Sequence, residues 1–241
     1  MKAVILAGGK GTRLRPFTTV IPKPLMPVGD YPILEIMLLQ LKRFGVDEVI
    51  LAVGHMAQLF QAFFQNGERQ GLKIRYSFET NQLGTAGPLS LLVDQLDEDF
   101  LVMNGDLLTT LNFRQMFEYH CRQGAAATIG LFEREVKIDF GVIEADQEGR
   151  LVGYREKPVF KFKVSMGVNV LNPRLVQPYL TPGKYLDLPE LIMCLRNDGH
   201  LVCCYSEPCY WLDIGRPDDY EKANDIFASR YDEFFPKDVP E

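Results

Sequence analysis

Through its first half the sequence alternates short apolar runs with longer amphipathic stretches, and that order limits the fold more than any other feature. Strand-sized runs separated by helix-sized intervals are the pattern of βαβ units, which wind onto a mainly parallel sheet. The predicted strands are residues 2–7 (K-A-V-I-L-A), 48–53 (E-V-I-L-A-V), 73–79 and 99–104 (D-F-L-V-M-N), with helices in the intervals. The helix after Pro32 carries Ile33, Ile36, Met37, Leu41 and Phe44 along one stripe and stops at Gly45, a residue suited to a left-handed cap. Asn112 is placed to cap a second helix bearing Phe113, Met116, Phe117 and Cys121, which ends before Gly124.

From residue 125 the pattern changes to strands with short connections, at 125–133, 141–146, 150–156, 164–171, 201–206 and 209–213. That spacing predicts extra sheet built beside the first. Another helix starts at Asp187, where Asp187 and Glu190 have capping-box spacing and Leu188, Leu191, Ile192 and Leu195 face inward before Gly199. Pro217, with Asp218 and Asp219 behind it, opens a final helix. The closing K-D-V-P-E reads as a frayed tail.

A chain of 241 residues with a formal charge of −6 can bury one sizeable core, and its acidity argues against nucleic acid as a partner. Any anionic ligand must meet positive charge locally. No apolar stretch approaches the ~20 residues that span a bilayer, and Met1 leads at once into a strand, so a cytoplasmic location is expected. The five cysteines form no C-x-x-C pair, so reduced core thiols are expected. The three histidines, His55, His120 and His200, stand apart in sequence and are assigned no chemistry.

Chemistry concentrates in A-G-G-K-G-T-R-L-R-P (Ala7 to Pro16), a glycine-rich loop directly after the first strand. Ligands of open α/β sheets bind at the carboxyl ends of strands. Gly8, Gly9 and Gly11 let backbone amides approach phosphate oxygens, and Lys10, Arg13 and Arg15 add cations within one short segment. The P-loop spacing is absent, and the dinucleotide fingerprint lacks its third glycine, where Leu14 stands. A glycine turn alone can be merely structural. Its continuation, I-P-K-P-L-M-P-V (Ile21 to Val28), holds Lys23 between two prolines that restrict its direction, which suits a pyrophosphate-facing lysine.

With these segments the sequence resembles the sugar-nucleotide pyrophosphorylase family, the sugar-1-phosphate nucleotidylyltransferases. The family hallmark G-G-x-G-T-R-L-x-P followed by P-K-P stands here as Gly8 to Pro16 and Pro22 to Pro24. The resemblance continues through L-G-T-A-G-P-L at Leu83 to Leu89, N-G-D at Asn104 to Asp106, F-G-V-I-E at Phe140 to Glu144, E-K-P at Glu156 to Pro158 and W-L-D-I-G at Trp211 to Gly215. It looks nearest to the mannose-1-phosphate guanylyltransferase and glucose-1-phosphate uridylyltransferase branches. Many relatives continue into a C-terminal left-handed β-helix, for which these residues offer no counterpart.

The resemblance implies a three-layer α/β/α Rossmann-like nucleotidyltransferase fold with a mainly parallel mixed central sheet. It implies one domain over 1–241, with a nucleotide-binding half at 1–110, a sugar-phosphate-binding half at 111–230 and a tail at 231–241. The expected reaction joins a nucleoside triphosphate to a sugar 1-phosphate and releases pyrophosphate, with a hexose 1-phosphate and GTP or UTP as substrates. Asp106 and Asp213, each at a strand end, are implied to hold Mg²⁺, which takes one or two carboxylates and completes its shell with phosphates and water. The nucleotide would lie against Leu6, Ala7, Gly8, Gly9, Gly11, Thr12, Arg13, Lys23, Gln82, Gly84, Thr85 and Asp106. The sugar phosphate would meet Gly141, Glu156, Lys157, Val168 and Asn169, with Phe140 and Trp211 as candidate walls. Arg13, Lys23, Asp106, Lys157 and Asp213 are the implied catalytic set, and relatives commonly form homo-oligomers.

Two other readings compete. A glycosyltransferase that consumes nucleotide sugars shares such a lobe, but no D-x-D segment follows the fourth strand, where Asp106 stands alone. A catalytically silent, nucleotide-sugar-binding subunit would be expected to have lost key charges, and all five members of the catalytic set are present.

Overall fold

Runs such as Val49–Val53 have no polar face, and strands of that kind are stable only when covered on both sides, as parallel strands are. The computed structural model, which describes residues 1–235, is built around this constraint. Strand β1 (Lys2–Leu6) runs into the glycine-rich loop, a short ladder of β2 (Pro27–Val28) with β3 (Tyr31–Pro32), and helix α1 (Ile33–Arg43). Next come β4 (Glu48–Val53), α2 (Ala57–Phe64), β5 (Lys73–Phe78), β6 (Phe100–Asn104), β7 (Leu107–Thr109) and α3 (Phe113–Gln123). Then follow β8 (Ala127–Lys137), β9 (Val142–Ala145), β10 (Leu151–Arg155), β11 (Val159–Leu171), α4 (Pro173–Val176) and α5 (Leu188–Asn197). The described chain closes with β12 (Val202–Tyr205), β13 (Trp211–Asp213), α6 (Pro217–Ser229) and α7 (Tyr231–Phe234).

Seven strands make one sheet in the order β12-β8-β11-β6-β1-β4-β5. Only β11 runs antiparallel to its neighbours, so the sheet is mixed and mostly parallel, as expected. Leu34, Met37 and Leu38 of α1, Phe60 and Phe64 of α2, and Phe113 and Met116 of α3 cover one face. Leu188, Leu191 and Leu195 of α5, with Leu89 and Leu92 of the β5–β6 connection, cover the other. The fold is therefore a three-layer α/β/α sandwich. No helix among the described residues is long and apolar enough to cross a membrane.

The predicted boundaries of β1, β4, β5 and β6 agree with the structure to within a residue, as do α1 and the Asn112-capped α3. Asn112 Oδ1 accepts the Gln115 amide at 3.0 Å, and Gly124 takes the left-handed position at the other end. Four expectations need correction. The interval between β5 and β6 holds 3-10 turns rather than an α-helix, because Ala86 N and Gly87 N donate to Leu186 O and Pro88 has no amide to continue a helix. Asp187 does not close a capping box on α5, since its carboxylate is engaged by Thr85 instead. The second-half strands β8, β11 and β12 extend the first sheet rather than forming another, and β11 is longer than predicted, starting at Val159 to pair with the outer half of β8. Residues 231–234 of the expected tail form α7, whose Phe234 is buried against Phe227, while K-D-V-P-E lies outside the described residues.

Candidate active site

The glycine-rich loop leaves the carboxyl end of β1 and folds back on itself at Gly11. That residue is left-handed, with φ of 59°, and a side chain there would press on Thr18 and Lys23. Thr18 Oγ1 donates to Gly11 O at 2.7 Å, which closes the loop. The prolines then place Lys23 at the start of a 3-10 turn, with Met26 N donating back to Lys23 O at 3.0 Å. Leu14 and Met26 sink into a third apolar cluster with Ile214 and Phe227, so the loop and the C-terminal helices share one anchor.

Asp106 and Asp213 come from distant parts of the sequence and meet here. The chain leaves β6 at Asn104, turns at Gly105, whose amide donates to Leu6 O at 3.0 Å, and enters β7. β7 pairs antiparallel with β13 so that Asp213 faces Leu107, and Ile214 N donates to Asp106 O at 3.2 Å. The Lys23 ammonium lies between the two carboxylates, in contact with Asp106 Oδ2 and 3.6 Å from Asp213 Oδ1. Burial and the neighbouring Asp106 charge push the Asp213 carboxyl above its ordinary range, against the pull of Lys23 and Arg13.

This pair fits a magnesium ion. Asp106 Oδ1 is buried with no hydrogen-bond partner, and the two carboxylates already accommodate one cation between them. Two carboxylates are the complement Mg²⁺ takes from protein when phosphates and water supply the rest. Among the described residues no cluster of three or more such ligands exists, so a closed protein cage is not on offer.

A cleft of about 450 Å³ opens over the carboxyl ends of β1, β5 and β6. All twelve residues expected to meet the nucleotide line it: Leu6, Ala7, Gly8, Gly9, Gly11, Thr12, Arg13, Lys23, Gln82, Gly84, Thr85 and Asp106. Gly215 also lines it, and a Cβ there would stand 3.7 Å from both Arg13 Nη1 and Asp213 Oδ2, which puts those groups at the same rim.

The residues expected to hold the sugar phosphate are divided. Gly141 and Glu156 lie together on the outer β9–β10 side, where a Cβ at Gly141 would stand 3.1 Å from Glu156 Oε2 and Tyr154 donates to that same oxygen at 2.9 Å. Glu156 and Lys157 follow the end of β10 in a bend, with Lys157 at φ of 43°, rather than alternating along a strand. Val168 and Asn169 are 0% and 2% exposed in β11, so neither side chain offers surface to a ligand arriving from solvent. None of these five lines the cleft described above. Phe140 is largely exposed, while Trp211 packs on Phe132 and donates to Met166 O at 2.9 Å.

Four polar residues of the cleft had no ligand role in the sequence reading: Glu79, Asn104, Tyr185 and Asp187. Glu79 directly follows β5 and Asn104 ends β6, so the strand-end rule that singled out Asp106 applies to them equally. Tyr185 and Asp187 carry no such signal. Asp187 Oδ1 accepts from Thr85 N at 3.0 Å and Thr85 Oγ1 at 3.1 Å, and Tyr185 donates to Oδ2 at 2.6 Å, which holds the Asp187 carboxyl below its ordinary range. Thr85 Oγ1 in turn accepts the Leu188 amide at 2.7 Å and so caps α5 from another segment.

Comparison with known proteins bears on the family and the fold. Residues 2–230 match the family model described as Nucleotidyl transferase. The chain is 33% identical over 242 residues to a UTP–glucose-1-phosphate uridylyltransferase of Synechocystis sp., covering 92% of this chain and 62% of that protein. It is 35% identical to the mannose-1-phosphate guanylyltransferase catalytic subunit beta of Dictyostelium discoideum, covering 95% of this chain and 65% of the relative. The chain thus spans less than two thirds of the length of either relative. Its fold matches a crystal structure of a putative glucose-1-phosphate thymidylyltransferase from Bacillus anthracis with a TM-score of 0.77 at 24% identity, over 100% of this chain and 98% of that one.

Proposed function

Since the chain belongs to the nucleotidyl transferase family, we propose that it transfers a nucleotidyl group from a nucleoside triphosphate to a sugar 1-phosphate. The products are a nucleoside diphosphate sugar and pyrophosphate. A hexose 1-phosphate with GTP or UTP is the substrate pair favoured by the resemblance to the two curated relatives. The observation that carries the reading is the convergence of Lys23, Asp106 and Asp213 at the rim of a cleft floored by Gly8, Gly9 and Gly11.

A phosphate oxygen of the sugar 1-phosphate attacks the α-phosphorus in line as the bond to the bridging oxygen of the β-phosphate breaks. The nucleophile is already anionic, so no general base is required, and the barrier lies in bringing two anions together. Backbone amides of the glycine loop and the cations of Arg13 and Lys23 receive the triphosphate and stabilise the departing pyrophosphate. Asp106 and Asp213 would hold Mg²⁺, which would supply charge neutralisation to the phosphates when bound. Lys157 meets the sugar phosphate and Glu156 accepts hydrogen bonds from sugar hydroxyls, so residues 111–230 take the sugar phosphate, while the nucleotide lies mainly against residues 1–110, with Tyr185, Asp187 and Gly215 contributed by the second half.

The test is a matrix of nucleoside triphosphates against hexose 1-phosphates, read by pyrophosphate release with and without Mg²⁺. Release that requires both substrates and the ion is the expected result. Release without sugar phosphate, or none in any combination, would refute the reaction.

A further inference from the structure

The Lys23 side chain starts beside the glycine loop and ends on the carboxylates. A Cβ on Gly11 would stand 3.3 Å from Lys23 Cβ, so the stem leaves the backbone against the loop proposed to receive phosphates. Its ammonium contacts Asp106 Oδ2 and lies 3.6 Å from Asp213 Oδ1. Pro22 and Pro24 bracket the residue, and Met26 N donates to its carbonyl, so the backbone is held and the flexible stem is the part free to swing.

The charges at this site leave no room for a bare divalent ion. Asp106 and Asp213 bring two negative charges, Lys23 cancels one, and Arg13 stands at the same rim. Asp106 Oδ1 is buried, so an ion arriving from the cleft meets that carboxylate at the oxygen Lys23 already holds. A divalent ion beside a retained ammonium is repelled, and the repulsion is poorly screened where water is scarce. The ammonium in turn leaves only if another anion takes it, because a buried charge without a partner is costly. A triphosphate lying on Gly8, Gly9 and Gly11 is such an anion, on the side from which the stem departs, and its oxygens also serve as metal ligands.

Resting on the proposed reaction, we propose that Lys23 is an internal counter-ion that keeps free divalent ions off Asp106 and Asp213 and gives way only to a metal–triphosphate complex. The ammonium passes from Asp106 to phosphate oxygens, so one residue both rejects the bare ion and receives the nucleotide. Lys23 thereby sets which form of the metal the site accepts, a selection separate from its part in stabilising pyrophosphate.

Mn²⁺, which suits carboxylate sites as Mg²⁺ does and is read by electron paramagnetic resonance, tests this on the free protein without substrate or turnover. Wild type should hold free Mn²⁺ no tighter than about 1 mM. Lys23→Met keeps the stem and removes the charge, so it should bind the free ion at least about tenfold tighter, a gain that general damage to the site does not produce. Lys23→Arg keeps a cation and should stay as weak as wild type. Adding Asp213→Asn to Lys23→Met should abolish the gain, which locates the ion at the carboxylate pair. Binding of Mg²⁺ complexes of GTP and UTP should move the other way, about tenfold weaker in Lys23→Met than in wild type. Lys23→Gln replaces the methionine variant if circular dichroism shows that Lys23→Met is unfolded. Tight binding of free Mn²⁺ by wild type, no gain in the uncharged variant, or an equal gain in Lys23→Arg would overturn the inference and leave the reaction standing. Pyrophosphate release is read separately: the expected metal and nucleotide affinities with no release in any substrate pair would refute the reaction and leave the counter-ion in place.

Discussion

Lys23 is 7% exposed and lies between two carboxylates, an arrangement in which each charge depends on the others. Removing one member of a buried ionic group leaves the rest uncompensated. Asp213→Asn keeps the size and removes the charge, so pyrophosphate release should fall about 100- to 1,000-fold while circular dichroism is unchanged. Turnover at the wild-type rate would remove Asp213 from the site. Lys157→Ala should raise KM for the sugar 1-phosphate more than for the nucleotide, and equal changes in both would argue against its assigned partner. His120 gives a different kind of prediction. It is fully buried, donates to or accepts from Thr128 Oγ1 at 2.8 Å, and burial lowers its pKa below 6.5 even though Asp99 opposes the shift. A depressed histidine contributes stability that is fully present above its unfolded pKa of 6.5 and is lost as pH falls from there through the folded value. The melting temperature should therefore drop between about pH 7.5 and 5.5 in wild type, and drop less in His120→Gln.

Helix ends show how local and distant partners compete. Asn112 was legible as a cap because its partner, the Gln115 amide, is three residues away and needs no tertiary contact. Asn112→Ala should cost about 1 kcal/mol in denaturant unfolding with little effect on catalysis. Asp187 and Glu190 have equally good local spacing, yet the Asp187 carboxylate goes to Thr85, and the Thr85 hydroxyl caps α5 in its place. Spacing rules see only their own segment, so a stronger donor from elsewhere in the chain is invisible to them. Because this exchange ties the Gly84–Thr85 turn to α5, Asp187→Ala should lower stability by about 1–3 kcal/mol and raise KM for the triphosphate. A stability loss with unchanged nucleotide KM would show that the turn holds its shape alone.

Across the whole molecule, the third apolar cluster joins the glycine loop through Leu14, the residue after β13 through Ile214 and α6 through Phe227. Phe227 is 3% exposed, so Phe227→Ala should cost about 3–5 kcal/mol, and activity should fall further than Tm alone accounts for, since the anchor of both loop and Asp213 is loosened. Apolar periodicity determined the sandwich, because a strand with no polar face must be covered on both sides wherever it occurs. The turns of the glycine loop and of Lys23 were equally legible, since neighbours in sequence close them, although the seat of Leu14 on Ile214 and Phe227 is tertiary. What tertiary structure alone decided was which distant groups meet. The β7–β13 ladder sets Asp213 beside Asp106, β11 enters the first sheet antiparallel, and Glu79 turns into the cleft from the end of β5. Strand partners are chosen by burying surface that the whole chain supplies, and no stretch of sequence contains that information by itself.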